Sequence, residues 1–374
     1  MEIIYLILFV KLFGKISRME IDLKNSERIL VTGGAGFIGN NLIRFLFKNT
    51  RAKIYNLDKL GYSSSLEAFD KYLYDLKIES QTRYEFLNCN LAYENDVNHA
   101  IKYSKPDFIF NLAAESHVDR SIDSPFNFIE NNIKGTFNLL NKTLSYWKEL
   151  KSYKKDSFRL IHISTDEVFG SLSNDDPKFN ERTPYEPSSP YSASKASSDH
   201  LVNAWFNTYG LPVITTNCTN NYGPWQFPEK LIPLVITKAM RQEDIPIFGT
   251  GKNIRDWLFV EDHVDAILHI AFKGLEGSTY CIGGCNEYTN LEVVNLICDF
   301  LNKEVPKTSD YKEQISFVED RPGHDFRYAI DNSLICSDLG WQPRYSFEEG
   351  LSTTISWYLK NINWCKKFVK SCSL

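Results

Sequence analysis

Two groups of side chains stand out for the chemistry they could do. Thr165-Asp166-Glu167 follows a short apolar run, Phe158 to Ser164, and sets two carboxyl groups side by side. Neighbouring carboxyls can divide acid and base duties when their surroundings hold them in different protonation states. An Asp-Glu pair behind a strand is equally what a solvated loop contains, so the pair alone leaves both readings open. Tyr191-Ser-Ala-Ser-Lys195 places a phenol and an ammonium four residues apart, which on a helix puts them on one face. An ammonium near a phenol lowers its pKa towards neutrality, which would make Tyr191 a base for the proton of a hydroxyl group. The Tyr-x-x-x-Lys string is common, and its weight depends on the elements around it.

Those elements read as alternating strands and helices. Ile29-Leu-Val-Thr32 is a short apolar run ending in Gly33-Gly-Ala-Gly-Phe-Ile-Gly39, after which Ile38, Leu42, Phe45 and Leu46 recur at helical spacing. That is strand, glycine turn, helix. Gly34, Gly36 and Gly39 satisfy G-x-G-x-x-G, with Gly33 overlapping. Glycines there allow a tight turn and close approach of a pyrophosphate, to which the helix N-terminus offers free N–H groups. Lys53 to Leu57 is a second strand, ending at Asp58, 19 residues past Gly39. A carboxylate at that point accepts from both ribose hydroxyls and repels a 2′-phosphate, which predicts NAD as the cofactor. Lys59 beside it leaves NADP open, and a turn that serves packing alone, with Asp58 as a helix cap, is the competing structural reading.

Further apolar runs at Tyr84 to Cys89, Asp107 to Ala113 and Phe158 to Ser164 leave room for crossover helices. The expected fold class is α/β, a doubly wound parallel sheet of Rossmann type with a smaller C-terminal α/β substrate lobe. Beyond residue 218 the rhythm changes, and Asn220 to Pro228 reads as a loop from its Asn, Gly and Pro content. The chain divides into an N-terminal extension (1–25), a dinucleotide-binding domain (26–218, with 249–275 returning to it), a substrate lobe (219–248 and 276–360) and a tail (361–374).

Composition sets the outer bounds. The 374 residues are 43% hydrophobic and 24% charged, with 42 basic against 47 acidic side chains and a formal net charge of -5. This is an ordinary globular balance that excludes collagen, coiled coil and wholesale disorder and gives no electrostatic reason to expect a nucleic-acid partner. Eight scattered cysteines read as reduced thiols of an intracellular protein. Cys281 and Cys285 are the close pair, but no second ligand pair stands at zinc spacing, so no metal is expected and a strand followed by a turn is. Ile3 to Phe13 is almost continuously apolar. It is shorter than the ~20 residues that span a bilayer and lacks the flanks of a signal peptide, so an unstructured or loosely packed extension and no membrane partner are expected, with a secretory or anchor segment as the alternative. Met19 stands where the core domain could begin.

With these residues on the page, the chain resembles the extended short-chain dehydrogenases/reductases, and within them the dTDP-glucose 4,6-dehydratase family. The motifs that carry the resemblance are Thr32 to Gly39, Leu112-Ala-Ala-Glu-Ser-His-Val-Asp-Arg-Ser121, Ser164-Thr-Asp-Glu-Val-Phe-Gly170 and Pro190-Tyr-Ser-Ala-Ser-Lys-Ala-Ser-Ser-Asp-His200. They continue through Asn220-Asn-Tyr-Gly-Pro224, Pro228-Glu-Lys-Leu-Ile-Pro233, Arg255-Asp-Trp-Leu-Phe-Val260 and Asp320-Arg-Pro-Gly-His-Asp325. Roughly residues 26 to 360 are covered. The glycine turn and the Tyr/Lys pair are shared across the superfamily, whereas Thr165-Asp166-Glu167 separates the dehydratases from the epimerases.

The resemblance implies catalytic roles. Tyr191, with Lys195, takes the sugar 4-hydroxyl proton as hydride passes from C4 to NAD+. Glu167 is the base at C5, Asp166 the acid for the departing C6 hydroxyl, and Thr165 is hydrogen-bonded near the 4-oxygen. Implied cofactor contacts are Gly33, Gly36, Phe37, Ile38, Gly39, Asp58, Lys59, Asn90, Leu91, Ala113, Ala114, Ser116, Asn131 and Asn221, together with Tyr191 and Lys195. Implied substrate contacts are Ser116, Thr165, Asn220, Lys230, Leu231, Pro246, Ile247, Phe248, Arg255, Asn290, Arg321 and His324, with Arg255 and Arg321 serving the diphosphate. For Arg255 an ion pair with Asp256 or Glu261 is the alternative, and His117 reads as a supporting residue rather than a proton carrier. Asn90 stands where many relatives have Asp, and Asn131 where they often have Thr.

The expected substrate is therefore dTDP-glucose, with a UDP-glucose 4,6-dehydratase or a sugar-nucleotide 4-epimerase as alternatives. A non-catalytic NAD-binding scaffold is a remoter one. A cytoplasmic homodimer is implied, its two helices per subunit falling at Pro125 to Leu150 and Tyr191 to Tyr209.

Overall fold

The computed structural model describes residues 27–75, 83–320 and 323–368. The apolar stretch before Met19, Arg321 and the end of the tail lie outside the described residues.

Twelve strands are found among the described residues. They are β1 (Arg28–Thr32), β2 (Lys53–Asp58), β3 (Tyr84–Asn88), β4 (Phe108–Asn111), β5 (Arg159–Thr165), β6 (Val213–Cys218), β7 (Asn220–Tyr222), β8 (Ile245–Phe248), β9 (Ile254–Phe259), β10 (Thr279–Ile282), β11 (Glu287–Thr289) and β12 (Ile315–Val318). Seven of them form one sheet in the order β10-β6-β5-β4-β1-β2-β3, and every pairing within it is parallel. The order reverses between β1 and β4, which opens a crevice at the carboxyl ends of the strands.

Alternation along the strands serves the two faces. Ile29, Val31, Ile54, Phe110, Ile161 and Ile163 pack with Leu42, Ile43 and Leu46 of the helix Phe37–Asn49 and with Val264, Ile267 and Leu268 of the helix Val260–Lys273. Leu30, Tyr55, Leu57, Ile109 and Leu160 point the other way, against Val97 and Ile101, Leu139 and Leu140, and Val202. Leu42 is fully buried, so truncating it to Ala would cost about 2–5 kcal/mol and loosen the helix that carries the glycine turn.

The second lobe has its own core. Tyr222, Trp225, Ile232 and Val235 meet Val293, Val294, Ile297, Phe347, Leu351 and Ile355 there. Its strands form a three-stranded sheet, β11-β9-β7, and a β12-β8 pair.

Three details depart from the sequence reading. Asn220–Tyr222, read as the start of a loop, is a strand parallel to β9, with Asn220 opposite Trp257 and Asn221 opposite Leu258. β9, placed in the returning segment of the first domain, belongs to this smaller sheet, and only the helix after it covers the large one. β10, placed in the substrate lobe, is the edge strand of the large sheet beside β6. Tyr280, Cys281 and Ile282 are all but fully buried there, and so short an apolar run carries no mark of which sheet will take it.

Candidate active site

The glycine turn leaves β1 and enters the helix Phe37–Asn49, of which Gly36 is the N-cap, without a side-chain cap. Gly33 has a φ of +69°, and a Cβ there would lie 2.7 Å from the Ala113 nitrogen. A Cβ on Gly39 would lie 2.3 Å from the Gly33 carbonyl oxygen. Gly36 is different, since its Cβ would meet nothing nearer than Gly33 O at 3.2 Å. Its open side faces the cleft lined by Gly33, Gly36, Phe37, Ile38 and Gly39, where uncapped N–H groups suit a pyrophosphate. Asp58 ends β2 on the same cleft. One carboxylate oxygen accepts from Leu60 N at 2.8 Å and Ser64 Oγ at 3.0 Å, and the other from Ala35 N at 3.1 Å. Burial pushes its pKa up, against these hydrogen bonds.

The wall across the crevice is built from the ends of β3 and β4. Asn90 and Leu91 follow β3, and Ala113, Ala114 and Ser116 follow β4. Asn90 Oδ1 accepts from Ala92 N at 2.9 Å, a turn that the Asp of many relatives could make equally well. Asn131 lies in a π-helical turn, Ile129–Lys134, inside what the sequence reads as one helix from Pro125. The extra residue in that turn accompanies Asn131 at the cleft, where its Oδ1 accepts from Lys59 Nζ at 2.8 Å. Lys59 is also paired with Glu115 at 2.6 Å.

The carboxyl pair sits at the end of β5. Thr165 caps a single 3-10 turn, Asp166–Phe169, by accepting from Glu167 N. Its hydroxyl reaches Asp166 Oδ1 at 3.3 Å. Asp166 is 1% exposed, and its Oδ2 is buried without a hydrogen-bond partner. Burial first, and the charge of Glu167 second, push its pKa up to about 8. It is therefore an acid at neutral pH. Glu167, next along, is only partly buried and lines the cleft.

Tyr191 and Lys195 come from the helix Pro190–Tyr209, fixed at its start by a Ser189/Ser192 capping box. Tyr191 lines the cleft together with Thr165, Asp166 and Glu167. Lys195 sends its ammonium to the Ile163 carbonyl of β5 at 2.8 Å. The expected lowering of the Tyr191 pKa is not found. Burial, and then Glu167, raise it well above the ordinary tyrosine value. Lys195 is itself shifted down by burial. Spacing reveals the charged neighbour but not the loss of water around both groups.

All the expected cofactor residues and all five catalytic candidates thus line one cleft, with Asn220, Asn221 and Lys230. Lys230 Nζ donates to the Ser116 carbonyl at 3.0 Å. The remaining substrate candidates among the described residues are not part of that lining. Leu231 opens the helix Leu231–Met240, Pro246-Ile247-Phe248 lie on β8 beside β12, and Asn290 opens the helix Asn290–Glu304. The Arg255 guanidinium donates to the carbonyls of Ile254, Phe326 and Asp325 and lies 4.4 Å from the Tyr328 ring. His324 is bonded to Asp320 at 2.6 Å. Arg321 is outside the described residues.

Sequence reasoning missed Tyr62 and Glu229, which close one end of the cleft by a 2.8 Å hydrogen bond between β2's following loop and the second lobe. Arg120 stacks over Tyr62 and lies 3.7 Å from Glu229, and His117 is 3.8 Å from it. Nothing in the local pattern pairs residues 167 positions apart. No group of three or more His, Cys, Asp or Glu side chains among the described residues is placed to hold a metal.

Comparison with known proteins decides between the chemistries this cleft allows. The family model described as GDP-mannose 4,6 dehydratase matches residues 30–354. A dTDP-glucose 4,6-dehydratase of Salmonella typhimurium is 51% identical over 345 residues, covering 90% of this chain and 94% of its own. The chain belongs to the dTDP-glucose 4,6-dehydratase family.

Solved members agree in shape. A dTDP-glucose 4,6-dehydratase of Streptomyces venezuelae, solved with NAD bound, is 37% identical with a TM-score of 0.82, over 91% of this chain and 99% of its own. A UDP-glucose 4-epimerase of Thermotoga maritima also superposes, with a TM-score of 0.77 over 89% of this chain and 99% of its own, but at 27% identity. Fold is common to both activities, so the distinction rests on the site.

Proposed function

We propose that this chain converts dTDP-glucose to dTDP-4-keto-6-deoxyglucose and water, as an NAD-dependent hydro-lyase. The observation that carries the reading is the buried Asp166, its pKa pushed up to about 8, beside the cleft-facing Glu167 and in the same cleft as Tyr191. NAD+, when bound, supplies the acceptor for hydride from C4, returns that hydride to C6 and brings a positive charge into the cleft. The residues suited to hold it are the turn Gly33 to Gly39, Asp58, Lys59, Asn90, Leu91, Ala113, Ala114, Ser116, Asn131 and Asn221.

The chain's own residues do the proton work. Tyr191 takes the proton of the 4-hydroxyl, and Lys195 and Thr165 hold that end of the sugar. The ketone at C4 acidifies the C5 proton, which Glu167 removes. Asp166 delivers its proton to the C6 hydroxyl, which leaves as water, and Glu167 gives a proton back to C5 as C6 is reduced. Two carboxyls of equal acidity could not share these duties, and the difference in burial between them supports the division. Ser116, Asn220, Lys230, Leu231, Pro246, Ile247, Phe248, Arg255, Asn290, Arg321 and His324 are assigned to the nucleotide and its diphosphate.

We assign the protein to the cytoplasm as a homodimer. Free thiols at every cysteine among the described residues favour a reducing compartment. The helices at residues 118–149 expose Ile122, Phe126, Ile129 and Phe137, Phe126 to 69%, an apolar surface suited to a second copy.

The test is turnover of dTDP-glucose and UDP-glucose side by side. The expected result is a product of dTDP-glucose lighter by one water, with no net consumption of NAD+. C4 epimerisation, preference for UDP-glucose, or no turnover of either would overturn the assignment.

A further inference from the structure

Tyr191 and Lys195 are the first two members of a stripe whose third is Asp199, again four residues on. All three face β5. Asp199 is 4% exposed and is surrounded by donors. One carboxylate oxygen accepts from His162 Nε2 at 3.1 Å, and the other from Ser164 Oγ at 2.8 Å, Tyr185 OH at 3.0 Å and Asn217 Nδ2 at 3.3 Å. The contacts continue in two directions. Asn217 Nδ2 also donates to the Thr165 carbonyl at 3.0 Å. His162 Nδ1 accepts from Asn111 Nδ2 at 2.9 Å, and Asn111 Oδ1 accepts from Thr32 Oγ1 at 2.7 Å. A polar row, buried throughout, therefore crosses β1, β4, β5 and β6 directly beneath the reacting turn and ends on one carboxylate.

A buried carboxylate with this many donors is fixed by them, and the donors in turn are fixed by it. Two of them, His162 and Ser164, are alternate residues of β5, the strand that ends in Thr165. The third contact, through Asn217, holds the Thr165 carbonyl itself. We propose that Asp199 is a positioning residue for the reaction: its negative charge anchors the end of β5, and so the Thr165–Glu167 turn, and keeps the Lys195 ammonium charged in the dry interior. The inference rests on the dehydratase reading for its catalytic consequence, and for the effect on Lys195 on the four-residue spacing that sets the two buried groups on one face of the helix. The titratable groups that face Lys195 are Tyr191 and Asp199 on its own helix, His162 on β5 and Cys218 on β6. Burial lowers the Lys195 pKa, and the nearby Asp199 carboxylate opposes that shift.

The variant Asp199→Asn keeps the shape and removes the charge. Competitive acetylation of Lys195, read by mass spectrometry across pH, is expected to show a midpoint about one pH unit or more below the parent. Turnover is expected to fall about tenfold to a hundredfold at unchanged KM, with the alkaline limb of the profile moved to lower pH. An unmoved Lys195 midpoint overturns the inference whatever the substrate. A parent that does not turn over dTDP-glucose sinks the dehydratase reading instead, so the two failures are distinguishable. Should Asp199→Asn not fold, Tyr185→Phe, which removes one donor, is expected to lower turnover about threefold at unchanged KM. A parental turnover number for it overturns the inference.

Discussion

Asp166 and Glu167 share a peptide bond but not an environment. The first is 1% exposed with its pKa pushed up to about 8, and the second stands partly open on the cleft. Their division of labour can be separated by substitution. Glu167→Gln keeps the volume and leaves Tyr191 in place, so oxidation at C4 should proceed while removal of the C5 proton stalls. Turnover is expected to fall about a hundredfold or more, and reduced cofactor to accumulate on the enzyme, visible by its absorbance. Parental turnover in this variant would remove Glu167 from the mechanism.

The raised pKa of Asp166 has two consequences with opposite appearance. As an acid it works while protonated, so turnover should decline as pH rises through about 8. For stability the folded-state pKa lies above the ordinary value of 3.8. The unfolded chain then ionises first, and the contribution present below about 4 is lost progressively up to about 8. Asp166→Asn abolishes the titration. Its melting temperature at neutral pH should exceed the parent's by about 2 °C or more, with less variation between pH 4 and 8, while turnover drops. A variant melting below the parent at neutral pH would show that the buried carboxyl is not a burden on the fold.

Glycines in one turn should fail differently. A Cβ at Gly39 would overlap the Gly33 carbonyl at 2.3 Å, whereas at Gly36 the nearest atom is 3.2 Å away and the open side faces the cleft. Gly39→Ala is expected to lower the melting temperature by several degrees, as a core overpacking change does. Gly36→Ala should leave melting nearly unchanged and weaken NAD binding by about tenfold or more, since a methyl group stands where the pyrophosphate must approach. Calorimetry with and without NAD distinguishes them, and equal thermal losses in both would refute the assignment of Gly36 to the cofactor.

Much of this site was legible in the sequence because it is local. The glycine turn, Asp58 at a strand end, the Tyr191/Lys195 spacing and the Asp166-Glu167 pair each lie within one strand-turn-helix unit, where period and spacing report geometry directly. What was not legible depends on distant packing. Tyr62 meets Glu229 across the cleft, Asn131 is turned by a π-helical residue with no sequence mark, and β10 chooses the large sheet by pairing with β6. Tyr191 gave the clearest error. Its spacing from Lys195 suggested a lowered pKa, and burial reverses the sign.

Cofactor choice should turn on Asp58. Its two oxygens already accept from Leu60 N, Ser64 Oγ and Ala35 N, so the carboxylate is fixed in place at the end of β2 and 6% exposed. A fixed negative charge there favours ribose hydroxyls, which donate, and disfavours a 2′-phosphate, which cannot approach without like-charge repulsion. Lys59 offers no compensation, because its ammonium is held by Glu115 and Asn131. The parent is therefore expected to bind NAD at least about a hundredfold more tightly than NADP. Asp58→Asn keeps one acceptor oxygen for either Leu60 N or Ala35 N and removes the repulsion, so NAD affinity should fall about tenfold while NADP affinity rises, compressing the ratio from both sides. Titration of cofactor-free protein with each dinucleotide measures both terms. An unchanged ratio would mean that selectivity comes from the shape of the Leu60 to Ser64 loop and not from the charge.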